Sequence, residues 1–373
     1  MSEERTKKNT RRGVLICGSY GHGNAGDEAI LEAIVRAFRS RTPELPLTVL
    51  SRSPEETAKK HNVRAIYKFN MPAVLREMRR SQLYLNGGGS LIQDATSSRS
   101  LYYYLFTILA AKLLGCRVIM YGCGIGPVSR KYNRWLTRLI IDRFADVITL
   151  REDDSLQELH AFGVERPRML VASDPALTLE PAAPPETDAC MTALGLEPHG
   201  RYLCIVPRNW TGFEDKAVCF ARCADTLYEK YGLETVFLSI DHKNDALAAE
   251  VIARHMTAPV HIARDVLPPP LTIGVLARMQ CVISMRLHGL IFSAGQGVPL
   301  IGVSYDPKVN AFLHYIGQNS CIALDQLTAP TLIAAAEAAL AQDRTALAAR
   351  VRTLRELENT NLTEAFRLLT FQQ

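Results

Sequence analysis

Short apolar runs rich in β-branched residues alternate with longer amphipathic segments, and this alternation constrains the fold more than any other feature of the chain. Such a pattern predicts repeated β-α-β units, which build a parallel, doubly wound sheet. The strands are predicted at 14–18, 47–51, 83–86, 117–121, 147–150 and 169–171 in the first half, and at 202–206, 235–240, 260–262, 281–284 and 300–303 in the second half.

The alternation is interrupted once, by a segment that reads PAAPPET at 181–187. Its three prolines cannot continue a helix or a central strand, so we predict a linker. A chain of 373 residues also exceeds the about 250–300 residues at which a single core stops growing. We therefore predict two Rossmann-like α/β domains facing a cleft. The predicted parts are a basic tail at 1–12, the N-terminal domain at 13–180, the linker at 181–187, the C-terminal domain at 188–344 and a helix at 345–373 that packs back across the domain boundary.

The charge distribution argues against a nucleic-acid partner. The formal net charge is +5 at pH 7, and part of it comes from a basic cluster within 1–12. Aromatic residues do not interleave with the basic ones, and no nucleic-acid-binding motif is present. We predict that the tail is solvated, with attraction to anionic lipid headgroups as the alternative.

Cysteine usage and hydropathy predict a cytoplasmic protein. The longest apolar stretch, 101–115, is interrupted by Lys112, and it is shorter than the about 20 residues of a spanning helix, so we predict a buried helix. No signal peptide is recognised. The nine scattered cysteines fit a reducing compartment, and no zinc-like Cys/His spacing occurs, so neither a metal nor a cofactor is predicted. Peripheral contact with the inner face of the cell membrane stays open.

The first predicted strand runs into a glycine-rich turn at 18–28 in which Gly21, Gly23 and Gly26 satisfy the dinucleotide-binding pattern G-x-G-x-x-G. However, no acid follows the second strand to hold a ribose, and Asp27 and Glu28 would repel a pyrophosphate at the helix start. We therefore favour a turn whose backbone another molecule approaches, and a tight turn with an Asp cap is the alternative. The candidate binding residues of this turn are Asn24, Gly26 and Asp27.

Two further predicted strands run into glycines, in the segments at 86–90 and 122–127. Glycines at the carboxyl end of a strand leave backbone N–H groups free for anions or hydroxyls. Together with the first turn they predict a binding rim, with simple turn chemistry as the alternative. Arg151 and Asp174 follow strands at the same edge, and for Arg151 a pair with Glu152 or Asp153 is the alternative. Candidate residues on this rim are Gly88, Gly89, Ser90, Asp94 and Arg151.

In the second half, three basic or titratable positions follow predicted strands. Arg208 lies beside Trp210, where a guanidinium can hold a carboxylate or phosphate, unless it forms a surface ion pair. Arg286 and His288 meet at a helix N-terminus, which favours anions and a neutral imidazole able to exchange protons near pH 7. Lys308 adds a cation after the next strand.

Four of these segments together resemble the polysaccharide pyruvyltransferase family, in particular its bacterial cell-wall CsaB type. They are the turn at 23–28, the glycines at 86–90, RLHG at 286–289 and YDPK at 305–308. The resemblance implies a GT-B-like fold and transfer of pyruvate from phosphoenolpyruvate to a hexose as a ketal bridging O4 and O6. For the CsaB type it implies an acceptor that carries N-acetylmannosamine on a lipid diphosphate.

The resemblance also implies roles for individual residues. Phosphoenolpyruvate would contact Arg286, Leu287 and His288, with Arg208 as a further donor-holding arginine by position and Arg151 as its alternative. Lys308 corresponds to a lysine near the diphosphate-bearing ligand.

From charge and acid–base chemistry we predict that His288 transfers the proton and that Asp27 or Asp94 orients acceptor hydroxyls. The predicted partners are phosphoenolpyruvate and a lipid-linked saccharide, without nucleic acid, and a homo-oligomer stays open. The alternative function is a GT-B glycosyltransferase that uses a nucleotide-sugar.

Overall fold

The computed structural model describes residues 11–95, 97–241 and 244–370. The strands of its N-terminal domain are β1 (Val14–Tyr20), β2 (Leu47–Ser51), β3 (Arg64–Tyr67), β4 (Leu83–Ile92), β5 (Arg117–Ile125), β6 (Val147–Leu150) and β7 (Arg168–Val171). The helices of this domain are α1 (Ala25–Arg41), α2 (Pro54–His61), α3 (Met71–Arg80), α4 (Ser98–Leu113), α5 (Lys131–Phe144) and α6 (Asp153–Phe162).

A second set of elements forms the C-terminal domain. Its strands are β8 (Tyr202–Val206), β9 (Glu234–Phe237), β10 (Val260–Ile262), β11 (Cys281–Ser284), β12 (Leu300–Ser304) and β13 (Cys321–Ala323). Its helices are α7 (Pro184–Ala193), α8 (Glu214–Tyr231), α9 (Asp245–Ala253), α10 (Pro269–Ala277), α11 (Leu287–Gly295), α12 (Pro307–Tyr315) and α13 (Ala329–Ala341), and the chain continues into α14 (Arg344–Thr370).

Both sheets are parallel and doubly wound, as the alternation predicts. The N-terminal sheet has the order β3-β2-β1-β4-β5-β6-β7, and the C-terminal sheet has the order β10-β9-β8-β11-β12-β13. Each order reverses direction once, between β1 and β4 and between β8 and β11. Ligands of such sheets bind outside the carboxyl ends of the strands at this reversal. The topology therefore singles out the loops after β1, β4, β8 and β11.

The glycines at 87–89, and Gly122 and Gly124, lie within strands, which differs from the prediction of bare backbone loops, and Gly126 follows the end of β5. β4 runs through Gly87–Gly89 to Ile92 and pairs with β5 throughout, Gly87 with Tyr121 and Gly89 with Cys123. Gly88 and Gly89 have φ values of +54° and +69°, a backbone conformation that favours glycine. A side chain at Gly88 would overlap Ile30 of α1. These glycines therefore bring α1 close to the sheet.

The proline-rich segment differs from the predicted linker. α7 begins at Pro184, inside 181–187, with prolines in its first turn. The first turn of a helix tolerates proline because its N–H groups have no partner within the helix. The edge strands β3 and β13 and the helix α12 were not predicted either. β3 exposes Arg64 and Tyr67, so it has no continuous apolar run, and α12 begins with a proline directly after its N-cap Asp306.

The helix α14 crosses from the C-terminal domain to the N-terminal sheet. From Leu347 to Glu364 its buried positions follow one another at intervals of four or three residues, which is the spacing of one helix face. Three of them are polar. Glu358 accepts a hydrogen bond from Tyr121 Oη at 3.2 Å, Asn361 Nδ2 donates to Ser173 O at 3.0 Å, and Glu364 pairs with Arg168 at 3.1 Å. Arg355 donates to Leu177 O at 2.9 Å and to Gly295 O at 3.0 Å, so it touches both domains.

Two further sequence predictions concern the surroundings of the protein. Residues 1–10 of the predicted basic tail lie outside the described residues. Among the residues that the structure describes, no helix is both long enough and apolar enough to cross a bilayer.

We predict that α14 is needed for the stability of the N-terminal domain. Leu354 is fully buried and its carbonyl accepts a hydrogen bond from Ser173 Oγ at 2.7 Å. Leu354→Ala should lower the free energy of unfolding by about 2–5 kcal/mol, because it leaves a cavity in the core. Urea unfolding measures this, with the exposed Arg352→Ala on the same helix as the control. Equal stability of the two variants would contradict the role of α14.

Candidate active site

A cavity of about 270 Å³ lies between the two domains, at the reversal points of both sheets. Both domains contribute to its wall, and most of the residues predicted from the sequence line it. The N-terminal domain contributes Ser19, Asn24, Asp27, Gly89, Ser90, Tyr104 and Arg151 among others, and the C-terminal domain contributes Arg208, Arg286, Leu287, His288, Tyr305 and Lys308.

The glycine-rich turn after β1 is satisfied by the chain itself. Asn24 caps α1, because its Oδ1 accepts from Gly26 N at 2.9 Å and from Asp27 N at 3.2 Å. Gly21 N donates to Glu28 Oε1 at 2.7 Å. These N–H groups would hold a pyrophosphate in a dinucleotide-binding turn, and here they are already bonded. The turn also meets the other domain, where Ala25 N donates to Ile240 O at 2.8 Å.

Asp27 is the only carboxyl side chain among the described residues that line this cavity. Burial, reinforced by the charge of Glu28, raises the pKa of Asp27 to about 7, although Ser19 and Lys308 act in the opposite direction. A carboxyl group with such a pKa can accept or return a proton at neutral pH.

Arg286 is buried and fixed by two carboxylates that the sequence analysis did not single out. Its Nε lies 3.1 Å from both Asp245 oxygens, its Nη2 also contacts Asp245, and Nη2 lies 3.2 Å from Asp241 Oδ2. Burial opposes the charge, but the Asp245 carboxylate raises the pKa of Arg286. The guanidinium therefore stays charged and is held rigidly in the cavity wall.

His288 presents a neutral imidazole to the cavity. Burial, together with the charges of Arg151 and Lys308, lowers the pKa of His288 to about 4 against the opposing charge of Asp174. Its Nε2 is buried and has no hydrogen-bond partner within the described ranges, and Asp174 Oδ2 lies 3.9 Å away. A side chain at Gly26 would overlap the imidazole. Gly26 therefore packs against the imidazole of His288 and is not among the residues that line the cavity.

Arg151 is buried in the wall with each nitrogen occupied by a polar group. Nε donates to Glu152 Oε2 at 2.7 Å, Nη1 to Asp174 Oδ2 at 3.2 Å and Nη2 to Ser90 Oγ at 3.0 Å. The pairing with Glu152, which was the alternative for this arginine, is present. Arg151 thus orients Asp174, which in turn lies next to His288.

Arg208 is less constrained than the other two arginines. It donates to Tyr305 Oη, and its guanidinium lies 4.9 Å from the Trp210 ring centre and 4.7 Å from that of Tyr305. No carboxylate of the described residues lies within ion-pair distance of it. Lys308 Nζ lies 3.0 Å from Asp306 Oδ2, and burial lowers the pKa of this lysine.

Gly88 and Asp94, which were predicted at the site, lie elsewhere. Gly88 packs against Ile30 of α1. Asp94 accepts from the backbone N–H groups of Ser129 at 2.8 Å and Arg130 at 3.1 Å and from Asn133 Nδ2 at 2.8 Å. These bonds lower the pKa of Asp94 despite partial burial. Asp94 therefore fixes the start of α5 instead of facing the cavity.

Several residues around the site were missed as site residues, among them Asp241, which contacts Arg286. Asp174 follows β7 at the carboxyl edge of the sheet, a position that the sequence analysis noted without assigning it a role. Asp245 begins α9 and is fully buried, and Tyr305 follows β12. No local sequence pattern indicates that Asp245 contacts Arg286, since the two are 41 residues apart.

The arrangement suits a small ligand with several negative charges. Among the described residues, three arginines and one lysine line the cavity together with a single carboxyl group. A neutral imidazole and a carboxyl group that titrates near neutrality stand among them, so proton transfer to or from the ligand is available. Within the described residues, no three His, Cys, Asp or Glu side chains are grouped so that they could hold a metal ion.

We predict that Asp27 destabilises the folded protein at neutral pH. Because burial raises its pKa to about 7, the folded state binds this proton more tightly than the unfolded chain, and stability falls as pH rises from about 4 to about 7. Asp27→Asn should therefore be more stable than the wild type at pH 8, by about 1–3 kcal/mol, and equally stable near pH 4. Urea unfolding across this range measures the difference, and a pH-independent difference would contradict the raised pKa.

Comparison with known proteins gives curated relatives and many similar folds. The amylovoran biosynthesis protein AmsJ of Erwinia amylovora is 21% identical over 370 residues, which cover 82% of this chain and 86% of AmsJ. The UDP-GlcNAc 2-epimerase of Methanocaldococcus jannaschii superposes with a TM-score of 0.64 at 13% identity, covering 92% of this chain and 98% of that one. A glycosyltransferase of Rickettsia africae gives a TM-score of 0.61 at 11% identity, with 96% and 99% covered.

The two structural matches show the fold alone, and they confirm that it is GT-B-like. The family model described as polysaccharide pyruvyl transferase matches residues 24–307. The matched range begins at the N-cap of α1 and ends at the start of α12, so it spans both walls of the cavity. Since this range is about three quarters of the sequence, the chain belongs to the polysaccharide pyruvyl transferase family.

Proposed function

We propose that the protein transfers pyruvate from phosphoenolpyruvate to a hexose as a 4,6-ketal and releases phosphate. The observation that carries the proposal is the cavity between the domains, where four cationic side chains surround a neutral histidine. Phosphoenolpyruvate carries a carboxylate and a phosphate on one small frame, and guanidinium groups bind both. The ligand class and the charge of the cavity therefore match.

Arg208 is our choice over Arg151 as the arginine that binds the donor. The nitrogens of Arg151 are directed to Glu152, Asp174 and Ser90. Arg208 contacts only a hydroxyl and two aromatic rings among the described residues, so its charge is available to a ligand. Arg286 and Lys308 line the same cavity and would complete the anion site.

In this reaction both hydroxyl groups lose a proton, while C3 and phosphate each gain one. In the first step, a sugar hydroxyl oxygen bonds to C2 of the donor while C3 takes up a proton, which gives a tetrahedral ketal phosphate. In the second step, the bond from C2 to the phosphate oxygen breaks, the second hydroxyl oxygen bonds to C2, and its proton leaves with phosphate. The first hydroxyl gives its proton to a base of the enzyme, an acid of the enzyme gives one to C3, and the proton of the second hydroxyl ends on phosphate. The enzyme returns to its starting state when the base passes its proton to solvent, which replaces the proton that the acid took up before the reaction.

His288 is the proposed acid that protonates C3. Binding of phosphoenolpyruvate would bring its imidazole into the protonated state. In the free protein its pKa is about 4, because burial and the charges of Arg151 and Lys308 act against the imidazolium. A bound dianion would offset these positive charges and raise the pKa, so that His288 takes up a proton as the donor binds. Asp174, 3.9 Å from Nε2, would stabilise the imidazolium.

Asp27, on the opposite wall, is proposed to accept the proton of the attacking hydroxyl. Its pKa of about 7 suits a base at neutral pH. We place the acceptor on this wall, against Asn24, Gly89 and Ser90. By the CsaB-type resemblance we propose a lipid-diphosphate-linked cell-wall precursor with N-acetylmannosamine, and the AmsJ relative, named for amylovoran biosynthesis, is consistent with a polysaccharide product.

The proposal predicts a product that mass spectrometry detects. Incubated with phosphoenolpyruvate and a lipid-linked N-acetylmannosamine saccharide, the protein should add one pyruvyl group and release one phosphate per product. His288→Ala should stay folded and abolish transfer. Product formation from a nucleotide-sugar instead of phosphoenolpyruvate would support the alternative glycosyltransferase function, which the shared fold leaves possible in principle. Wild-type turnover in His288→Ala would overturn the assigned role.

Substitution of Arg208 should affect donor binding, whereas substitution of Arg151 should affect the stability of the fold. Arg208→Ala should raise KM for phosphoenolpyruvate about ten- to a hundredfold, because a charged hydrogen bond to the donor is lost, and it should leave stability nearly unchanged. Arg151→Ala should instead destabilise the fold by about 3–5 kcal/mol, since Glu152 and Asp174 would lose their buried partner. Steady-state kinetics and urea unfolding of both variants separate the roles, and the reverse result would exchange them.

A further inference from the structure

One side of the N-terminal domain combines positive charge with exposed aromatic residues. The helices α3, α4 and α5 pack beside one another over the same face of the sheet. We call their exposed side the outer face. These three helices carry nine basic residues: Arg76, Arg79, Arg80, Arg99, Lys112, Lys131, Arg134, Arg138 and Arg143.

The same helices carry only two acidic residues, and neither balances the outer face. Glu77 of α3 is buried and bonded to Thr48 and Arg64. Asp142 of α5 accepts from the backbone N–H of Glu165 at 2.8 Å and pairs with Arg166. α4 contains no acid at all. Of the nine basic residues, Lys112 pairs with Asp146 outside these helices at 2.5 Å. The others leave the outer face strongly positive.

Large apolar side chains are exposed between these charges. On α4, Tyr102, Phe106 and Leu113 point outward from one side of the helix, and on α5 Tyr132 and Trp135 lie with ring centres 5.8 Å apart. Phe106 is 44% and Trp135 56% exposed. Tyr102 Oη donates to Asn133 Oδ1 at 2.7 Å, which joins the two groups into one patch. Basic and aromatic residues therefore do interleave on this face, which differs from the sequence analysis, and this combination is typical of surfaces that enter the lipid headgroup region.

This patch is continuous with the cavity through α4. Ser100 and Tyr104, in the first two turns of that helix, line the cavity wall. Tyr102 and Phe106 follow on the outer side of the same turns. A molecule anchored in a bilayer against the outer face would therefore have its polar part near the cavity entrance.

A second copy of the chain fits this surface poorly. In a two-fold symmetric dimer the same patch would meet itself, and this would bring the basic residues of both copies together, of which Lys112 is paired with an acid. An anionic bilayer offers the opposite charge and an apolar layer for the aromatic rings.

We infer that the outer face docks on an anionic lipid bilayer. Each basic side chain near an anionic membrane strengthens binding by about fivefold, and the exposed rings add apolar contact. Docking there gives a lipid-linked acceptor a short path to the cavity. Only this path for a lipid-linked acceptor rests on the proposed function, because binding of the outer face to a bilayer needs neither phosphoenolpyruvate nor an acceptor.

Vesicle co-sedimentation of the full chain, without any substrate, tests the inference. Wild type should bind vesicles of phosphatidylcholine with phosphatidylglycerol, and bind pure phosphatidylcholine at least about tenfold more weakly. Phe106→Ser with Trp135→Ser should weaken binding at least about tenfold. Tyr228→Ser with Leu247→Ser is the matched control, because these exposed side chains of the C-terminal domain should not affect binding.

The double variant Arg99→Glu with Lys131→Glu tests the contribution of charge. Both residues lie in the first turns of their helices, α4 and α5, where the helix dipole favours a carboxylate, so the substitutions should not destabilise the fold. This pair should weaken binding at least about tenfold, whereas Arg222→Glu with Arg352→Glu, which changes the net charge equally, should have little effect. In Trp210→Phe, Trp135 is the sole tryptophan, and its emission should shift to shorter wavelength on anionic vesicles.

Three results would overturn the inference. The first is binding that survives both outer-face variants, which would show that another part of the chain, such as the basic tail, attaches to lipid. The second is an unshifted Trp135 emission with vesicles bound. The third is a concentration-dependent dimer that the aromatic variant abolishes while vesicle binding is absent from wild type.

Discussion

The buried ion pair between Arg286 and Asp245 is the interaction on which the geometry of the site depends. Asp245 accepts from Arg286 and also from the backbone N–H groups of Ile240 at 3.1 Å and Asp241 at 3.0 Å. That loop in turn receives the N–H of Ala25, at the start of α1 in the other domain. One carboxylate therefore positions a cationic wall and helps to hold the domain that faces it. Removing it would leave the buried guanidinium with only the Asp241 contact among the described residues, at 3.2 Å.

A second network of charged residues crosses the cleft, and its arginine belongs to the N-terminal domain, whereas Arg286 belongs to the C-terminal domain. Arg151 of the N-terminal domain is paired with Glu152 and Asp174, and Asp174 faces His288 of the C-terminal domain. The two arginines therefore serve as fixed parts of the wall, while Arg208 keeps its charge for a ligand. This division fits the proposal that the protein binds a dianion beside a histidine whose pKa the fixed charges set, because fixed charges need no rearrangement when a ligand binds.

The cleft itself is stabilised by the last helix. α14 lies on the N-terminal sheet although it follows the C-terminal domain, and Arg355 bonds to carbonyls on both sides. Such a crossing helix limits how far the domains can separate, so the relation between Asp27 and His288 depends on residues far from the cavity. The outer face of α3, α4 and α5 is on the other side of the same sheet, which leaves it free of this contact.

The sequence by itself determined the two doubly wound sheets, because apolar runs buried on both faces alternate with amphipathic helices. It also placed Asn24, Asp27, Arg151, Arg208, Arg286, His288 and Lys308 at strand ends, where the topology gathers them. Only the tertiary structure decided which of them face the cavity. The pairing of Arg286 with Asp245 and of Arg151 with Asp174 joins residues 41 and 23 positions apart, and Asp94 turned to α5 because three donors lie there. Charge partners and pKa values depend on burial and distance, which local patterns do not contain.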